Sequence, residues 1–333
     1  MNSPLTGSPM ELRTRPETRF FRREPFQIVH HFYLCEETGE EFTDEHTDSV
    51  NQKQVLNQYR VAHNLPFPDE IAAIRTKYGL SASKMAEVLG FGVNSYRQYE
   101  TGEIPSDSNA RLIQLAKDPE EFKKLICISG VLEEQEQEKL LSKIDQLIFE
   151  ERRNKPVNWV SEYLFGSLRP SQYTGYRRPN VEKFVYMTMF FAEKTKPYKT
   201  KLNKLMFYAD FLCFKRHQMS ISGATYRAIQ LGPVPNNYDA LYAHGVKEDL
   251  YRVHYEEFDN RIGEQYCSCE HVAFRNELFS NEELAVLEEV VKRFYSARTS
   301  DIVGISHEER AWTDHEGQHE KIDYKYAFDL KAV

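Results

Sequence analysis

The sequence predicts a mainly α protein with small β elements: a small helical domain built on a helix-turn-helix, then a second, mostly helical α+β domain. Three observations predict this. A chain of 333 residues is longer than most single domains. Between residues 66 and 130, short helical patterns follow one another, most of them ended by Gly. Beyond residue 180, two strongly apolar helical segments precede short strand-like pieces and a further helix.

Composition narrows the class. Hydrophobic residues make up 41% and charged residues 28%, as in ordinary globular proteins. Aromatics at 13% exclude general disorder. No run of about eighteen apolar residues exists, so no membrane span is expected. Residues 1–19 lack the apolar centre of a signal peptide. The five cysteines, Cys35, Cys127, Cys213, Cys267 and Cys269, are odd in number and scattered. They do not read as a disulfide framework, and a reducing cytoplasm is the expected location. The net charge of −8 excludes a surface coated in basic charge, so any DNA-facing surface must be small and oriented.

Along the chain, residues 1–25 mix Pro, Ser, Thr and Arg without apolar period. They are expected to be a disordered basic arm carrying Arg13, Arg15, Arg19, Arg22 and Arg23; a solvated tail is preferred to a phosphate-contacting arm. Residues 26–65 hold a short β-hairpin, FQIVHHFYLC turning at Thr38-Gly39 toward Phe42, and a helix over 47–64. Val50, Val55, Leu56, Tyr59 and Val61 of that helix face a core or a partner chain, making this the expected dimerisation region. LPFPDE (65–70) is a boundary, with Asp69 as the expected N-cap.

In the 66–130 domain, the first helix buries Ile71, Ile74 and Tyr78 and stops at Gly79. Ser81 caps the second, which buries Met85, Val88 and Leu89 and closes at Gly90. The third covers 93–100 and the fourth 106–117. Pro119 opens a fifth. Residues 131–179 are expected to be a connecting helix, with Leu140, Ile144, Leu147 and Ile148 at helical spacing, and then a linker, RPSQYTGYRRPN. The second domain spans 180–333. It has helices over 181–194 and 201–217, strand-like pieces at 225–229, 251–258 and 264–272, and a helix over 281–297 opened by Ser280 or Asn281.

A helix, a turn near Gly90–Gly92 and a second short helix fit the geometry that places a recognition helix in the major groove. Asn94, Ser95, Arg97 and Gln98 stand at the start of that helix, with Ser83 on the preceding one. Asn and Gln can bind adenine bidentately and Arg can bind guanine. Val93, Tyr96 and Tyr99 lie three residues apart and are assigned to the inward side. Charge between Asp69 and Lys117 balances, six acids against six bases, which leaves little non-specific attraction to DNA.

The segment SASKMAEVLGFGVNSYRQYETGEIPSDSNARLIQLAKDPE resembles the Xre-type helix-turn-helix of MqsA-type antitoxins. The residues that carry the resemblance are Ala86, Leu89-Gly90, Gly92-Val93-Asn94, Tyr99-Glu100-Thr101-Gly102 and Pro105. It implies base contacts at Asn94 and at the position before Tyr99-Glu100, which is Gln98 here, with Arg97 one step earlier. Residues 26–64 resemble the same family's N-terminal region, which carries zinc on paired CxxC motifs. Only Cys35 remains near the hairpin, so no zinc is expected and packing must hold it.

The stretch KLNKLMFYADFLCFKRHQMSISGATYRAIQLGPVPNNYDAL resembles the Panacea, or SocA-like, domain. Lys204-Leu205, Tyr208-Ala209-Asp210, Ile221-Ser222-Gly223, Tyr226 and Gly232-Pro233-Val234-Pro235 carry this resemblance. Ser306-His307-Glu308 and Trp312 continue it. It implies neutralisation of a protein toxin, and some relatives act as proteolytic adaptors. Tyr208, Asp210, Tyr226, Pro233, Pro235, His307 and Trp312 are the candidate toxin contacts. Gly232-Pro233-Val234-Pro235 reads either as a stiff rim for a partner or as a structural turn.

Catalytic patterns are weak. His307, Glu308, Asp314 and His315 do not form a recognisable acid–base set, and neither a P-loop nor an HExxH pair occurs. Cys267, Cys269 and His271 alternate and would share one strand face, a partial metal set without a fourth ligand. No catalytic residue, metal or cofactor is expected. The expected function is an antitoxin-repressor with two partners, operator DNA and a toxin, acting as a homodimer. The rival is a stand-alone regulator whose second domain senses a ligand or phage protein.

Overall fold

The computed structural model describes residues 1–258, 261–269 and 271–333, the side chains of 153–158 and 261 apart. The chain is mainly helical with small sheets, as its sequence predicts. It divides into two compact units. One holds Phe21–Phe26 and Val55–Trp159; the larger holds Met1–Phe20, Gln27–Gln54 and Val160–Val333.

The chain opens with a sheet of β1 (Glu11–Phe21), β2 (Glu24–Leu34) and β3 (Glu41–Phe42), in that order, followed by α1 (Glu45–Ala62). Residues expected as a disordered arm therefore supply an eleven-residue strand. The segment needs no apolar period, because β1 is held by backbone pairing and by charge. Arg13 pairs with Glu36 and Arg15 with Glu41 of β3. The hairpin of β2 and β3 forms as expected, Tyr33 opposite Phe42. Beyond β3, the open edge of β2 is closed by side-chain amides from α1. Asn51 exchanges two hydrogen bonds with the backbone of His31, at 2.8 and 2.9 Å. Gln54 does the same with Val29, at 2.9 and 2.8 Å. A strand edge is thus satisfied without another strand.

The smaller unit contains α2 (Pro68–Tyr78), α3 (Ala82–Val88), α4 (Ser95–Glu100), α5 (Asp107–Leu115), α6 (Pro119–Ser129) and most of α7 (Glu134–Phe165). The cap of α2 lies at Phe67 rather than Asp69. Pro68 brings a helical φ to the first position, and Glu70 reaches back to accept the Phe67 N–H at 3.0 Å. Gly79 ends the helix at φ +69°. The core joins Ile71, Ile74, Tyr78, Met85, Tyr96, Ile113 and Phe122. Tyr78 stacks on Phe122 at 4.1 Å and donates to Ala116 O at 2.7 Å. Leu140 and Ile144 of α7 enter this core, and Leu147 and Ile148 pack against it. That stripe is occupied inside the unit and is not free to zip to another helix.

In the larger unit, α8 (Val181–Thr195) and α9 (Lys199–His217) are central; α9 is buried without a break from Lys201 to Phe214. Around them lie β4 (Tyr226–Ile229), β5 (Gly232–Pro235), α10 (Tyr238–Lys247), β6 (Tyr251–Phe258), β7 (Arg261–Ser268), α11 (Asn281–Phe294), α12 (Thr299–His307), α13 (Arg310–Thr313) and β8 (Lys321–Ile322). A sheet runs in the order β5-β4-β8, while β6 and β7 form a separate antiparallel ribbon. Ser280 caps α11 and Glu283 completes the capping box.

Two expectations change here. Gly232-Pro233-Val234-Pro235 is not a rim but a buried strand paired antiparallel with β4. The segment 169–180 is not a free linker. Thr174, Gly175 and Tyr176 are buried, and Ser220 donates its hydroxyl to Thr174 O at 2.7 Å and its N–H to Gly175 O at 3.0 Å. Arg177 and Lys183 both meet the buried Glu283 carboxylate, at 2.8 and 2.6 Å. Composition marked the Pro and Gly, whereas the fold uses them to bring a non-helical segment against its core.

Candidate nucleic-acid interface

Ser81 caps α3 by accepting the Lys84 N–H at 3.1 Å. Gly90 follows at φ +73°, and Phe91 N–H returns to Ala86 O at 2.8 Å. This closes α3 and aims the chain into α4. Helix α4 has six residues and starts at Ser95, two later than expected. Val93 therefore lies in the turn and is 66% exposed, not inward. Tyr96 and Tyr99 are buried as expected. The Tyr96 hydroxyl donates to Ile71 O at 2.9 Å, tying α4 to α2. Tyr99 accepts from Asn109 of α5 at 2.9 Å, and Arg75 grips Glu100 at 2.6 Å. Both ends of α4 are thus fixed from within.

With the tyrosines inward, the remaining side chains turn outward. Asn94, Arg97 and Gln98 are exposed, as is Ser83; Ser95 is half-buried. Ser83 touches the Ser81 hydroxyl at 3.1 Å. Among the described residues, the side chains of Asn94, Arg97 and Gln98 make no hydrogen bond or ion pair within the chain. Among the described residues, no acid of α7 pairs with them. Its acids meet other bases: Glu151 pairs with Lys77, Glu136 with Lys84, and Asp145 with Lys123.

Ion pairing also alters the charge balance read from sequence. Arg75, Lys77 and Lys84 are neutralised by carboxylates. Among the described residues of this unit, Arg22, Arg23, Arg97 and Arg111 are exposed arginines that meet no carboxylate. Arg22 instead donates to the Tyr59 hydroxyl at 3.2 Å. A balanced sum thus leaves unneutralised guanidinium groups, the side chains best suited to phosphate and guanine. Arg111 was not singled out from sequence, since only the ion pairs of its neighbours distinguish it.

The motif residues of the larger unit go inward. Asp210 is fully buried and accepts four hydrogen bonds: Ile221 N–H and Ser222 N–H at 2.8 Å each, the Ser222 hydroxyl at 2.5 Å and the Tyr226 hydroxyl at 2.8 Å. Burial pushes its carboxyl up from the ordinary range, against the pull of those donors. The Tyr208 hydroxyl donates to buried Glu309 at 3.3 Å. Lys204 is buried and donates to Pro233 O at 2.8 Å; burial lowers its ammonium to about 7. Gly232, at φ +95°, lies against this lysine: a Cβ there would come within 2.5 Å of Ser306 Oγ and 2.8 Å of Lys204 Cε. Trp312 donates to Ile229 O at 2.8 Å and stacks on His307 at 3.8 Å.

Of the seven toxin-contact candidates, Tyr208, Asp210, Tyr226, Pro233, Pro235 and Trp312 are buried; His307 is half-buried. In this conformation the six buried ones hold the domain together and do not face a partner. Polar side chains in an apolar interior must bond one another, and that need explains their grouping.

The remaining chemical candidates form no single cluster, although Cys269 and His271 share one carboxylate: the Cys269 thiol lies 3.9 Å from Asp249 Oδ1. Asp314 pairs with Arg310 at 3.1 Å. Cys267 stands opposite Arg252 in the β6–β7 ribbon, while His271 meets Asp249 at 2.9 Å. Among the described residues, no group of three or more His, Cys, Asp or Glu side chains is arranged to hold a metal ion, and no helix is long and apolar enough to cross a membrane.

A unit of short capped helices thus sits in one chain with a larger helical unit knit by buried polar contacts. Residues 21–125 match the family model of the antitoxin component of bacterial toxin-antitoxin system, MqsA. Residues 202–313 match that of the antitoxin SocA-like, Panacea domain. The two matches are those of the fusion that the motifs resemble, and both families are antitoxin families of toxin–antitoxin systems. None of the curated proteins matches the chain.

Proposed function

We propose that this protein is an antitoxin of a type II toxin–antitoxin system. The smaller unit reads a palindromic operator upstream of its own gene and represses it. The larger unit binds and neutralises a protein toxin encoded nearby. The single observation that carries the DNA half is the outward set Asn94, Arg97 and Gln98, unbonded beside two inward tyrosines. The Panacea match supports the toxin half. A helix-turn-helix protein reads two half-sites about one turn of DNA apart, roughly 34 Å, so the working form is a dimer.

The test separates the halves in cells. Asn94→Ala combined with Arg97→Ala is expected to release repression of a promoter–reporter fusion. The same variant is expected to rescue growth fully when the toxic neighbouring gene is expressed. A folded variant that loses rescue together with repression would contradict this division of labour.

A further inference from the structure

The β6–β7 ribbon carries apolar surface that folding does not use. Its root is fixed. Tyr251 and Tyr266 are buried, and the Tyr266 ring lies 5.2 Å from that of Tyr242. Outward from the root, Tyr255 stands opposite Glu264 and Glu257 opposite Ile262. These four share one face with Tyr251, Val253 and Tyr266, since cross-strand partners and alternate residues point the same way. Tyr255 and Ile262 are diagonal neighbours on that face, 65% and 67% exposed. The opposite face has its own packing. Phe258 lies 5.7 Å from Tyr198, and the Tyr198 hydroxyl donates to Glu256. A cross-strand pair of this kind returns only a little stability to the ribbon, and most of both side chains stays in water. Tyr255, Ile262 and the half-buried Val253 lie together on that face, and an exposed apolar patch with a polar rim marks a site of protein contact.

Charge selects the occupant. Glu257 is exposed beside both apolar side chains and meets no cation among the described residues. Glu264 is already paired with Lys199. A second copy of this face would put two unpaired Glu257 carboxylates into one seam with no cation between them, which disfavours self-pairing. The surface that fits is an apolar pocket rimmed by Lys or Arg.

We propose that Tyr255, Glu257 and Ile262 form the surface by which the larger unit holds a protein of positive charge, a basic toxin. The proposal rests on the antitoxin reading and names the place on the domain where it acts. Tyr255 is the anchor, because tyrosine is among the side chains that dominate interface energetics.

The intact protein is co-expressed with the toxic product of the adjacent gene, and affinity is measured on the purified partners. Tyr255→Ser with Ile262→Ser is expected to weaken binding at least about tenfold. Glu257→Lys is expected to slow association and flatten its dependence on salt. Tyr255→Phe is expected to retain binding. All three variants should keep the parental thermal midpoint and operator shift; if the double variant does not fold, Glu257→Lys still decides the matter. Binding by the double variant within roughly twofold of the parent would overturn the proposal and leave the antitoxin reading intact. A dimer of this chain alone that the same substitutions dissolve would also overturn it. A parent protein that neither binds nor neutralises the neighbouring product removes the antitoxin reading, and the proposal falls with it.

Discussion

Two helices in this molecule carry polar residues within a recurring motif, and they use them in opposite ways. In α4, two tyrosines hold the helix while Arg97, Gln98 and the preceding Asn94 are left in solvent. In α9, Asn203, Lys204 and Asp210 are all buried, each with a partner inside the domain. The difference teaches that a motif locates an important residue without saying whether it touches a ligand. Exposed, unbonded polar groups are available for recognition; buried and fully bonded ones specify the core. Substitutions at the two helices should therefore separate into changes of stability and losses of binding.

The largest stability effect is expected at Asp210. Asp210→Ala strands four donors in the interior and should cost about 3–5 kcal/mol in chemical denaturation. A cost near zero would mean that the motif is not the domain's internal clasp.

Lys204 should reveal itself through pH. Its ammonium is lowered from 10.5 to about 7 in the folded chain. Below pH 7 the amine is charged in both states, and the full cost of burying that charge is present. Between pH 7 and 10.5 the unfolded chain binds the extra proton, so stability rises with pH by up to about 1.4 kcal/mol per unit. Lys204→Met should raise stability at pH 6 and flatten that rise in thermal scans. An unchanged slope would sharpen the comparison against a neutral buried amine.

Tyr96→Phe removes the hydroxyl that ties α4 to α2 and should cost about 1–1.5 kcal/mol. Arg97→Ala should change stability by no more than about 0.5 kcal/mol, because the side chain has no partner to lose. Equal costs at Asp210 and Arg97 would break the distinction between the two helices.

Local signals in the sequence located most elements. Gly79 and Gly90 in left-handed backbone, Pro119 at a helix start, and Ser81 and Ser280 as caps all act through neighbouring residues. The outward set on α4 was legible for the same reason, since Tyr96 and Tyr99 fix which side turns in. What escaped depends on distant partners. Strand β1 looks like a polar tail until Glu36 and Glu41 stand opposite its arginines. Asp210 looks like a surface carboxylate until Ile221 and Ser222 fold back over it. Its apolar residues marked α9 as a helix, whereas Asn203, Lys204 and Asp210 are buried too because each finds a bond elsewhere in the chain.

The most direct test is a titration of the intact protein against its own promoter DNA and against a scrambled duplex of equal length, at one fixed salt concentration. The parent should prefer the promoter strongly, and Asn94→Ala with Arg97→Ala should erase about 2–6 kcal/mol of that preference at two base contacts. Both proteins should bind the scrambled duplex with similar, weak affinity. A double variant that keeps the parental preference would show that base reading lies elsewhere than on α4.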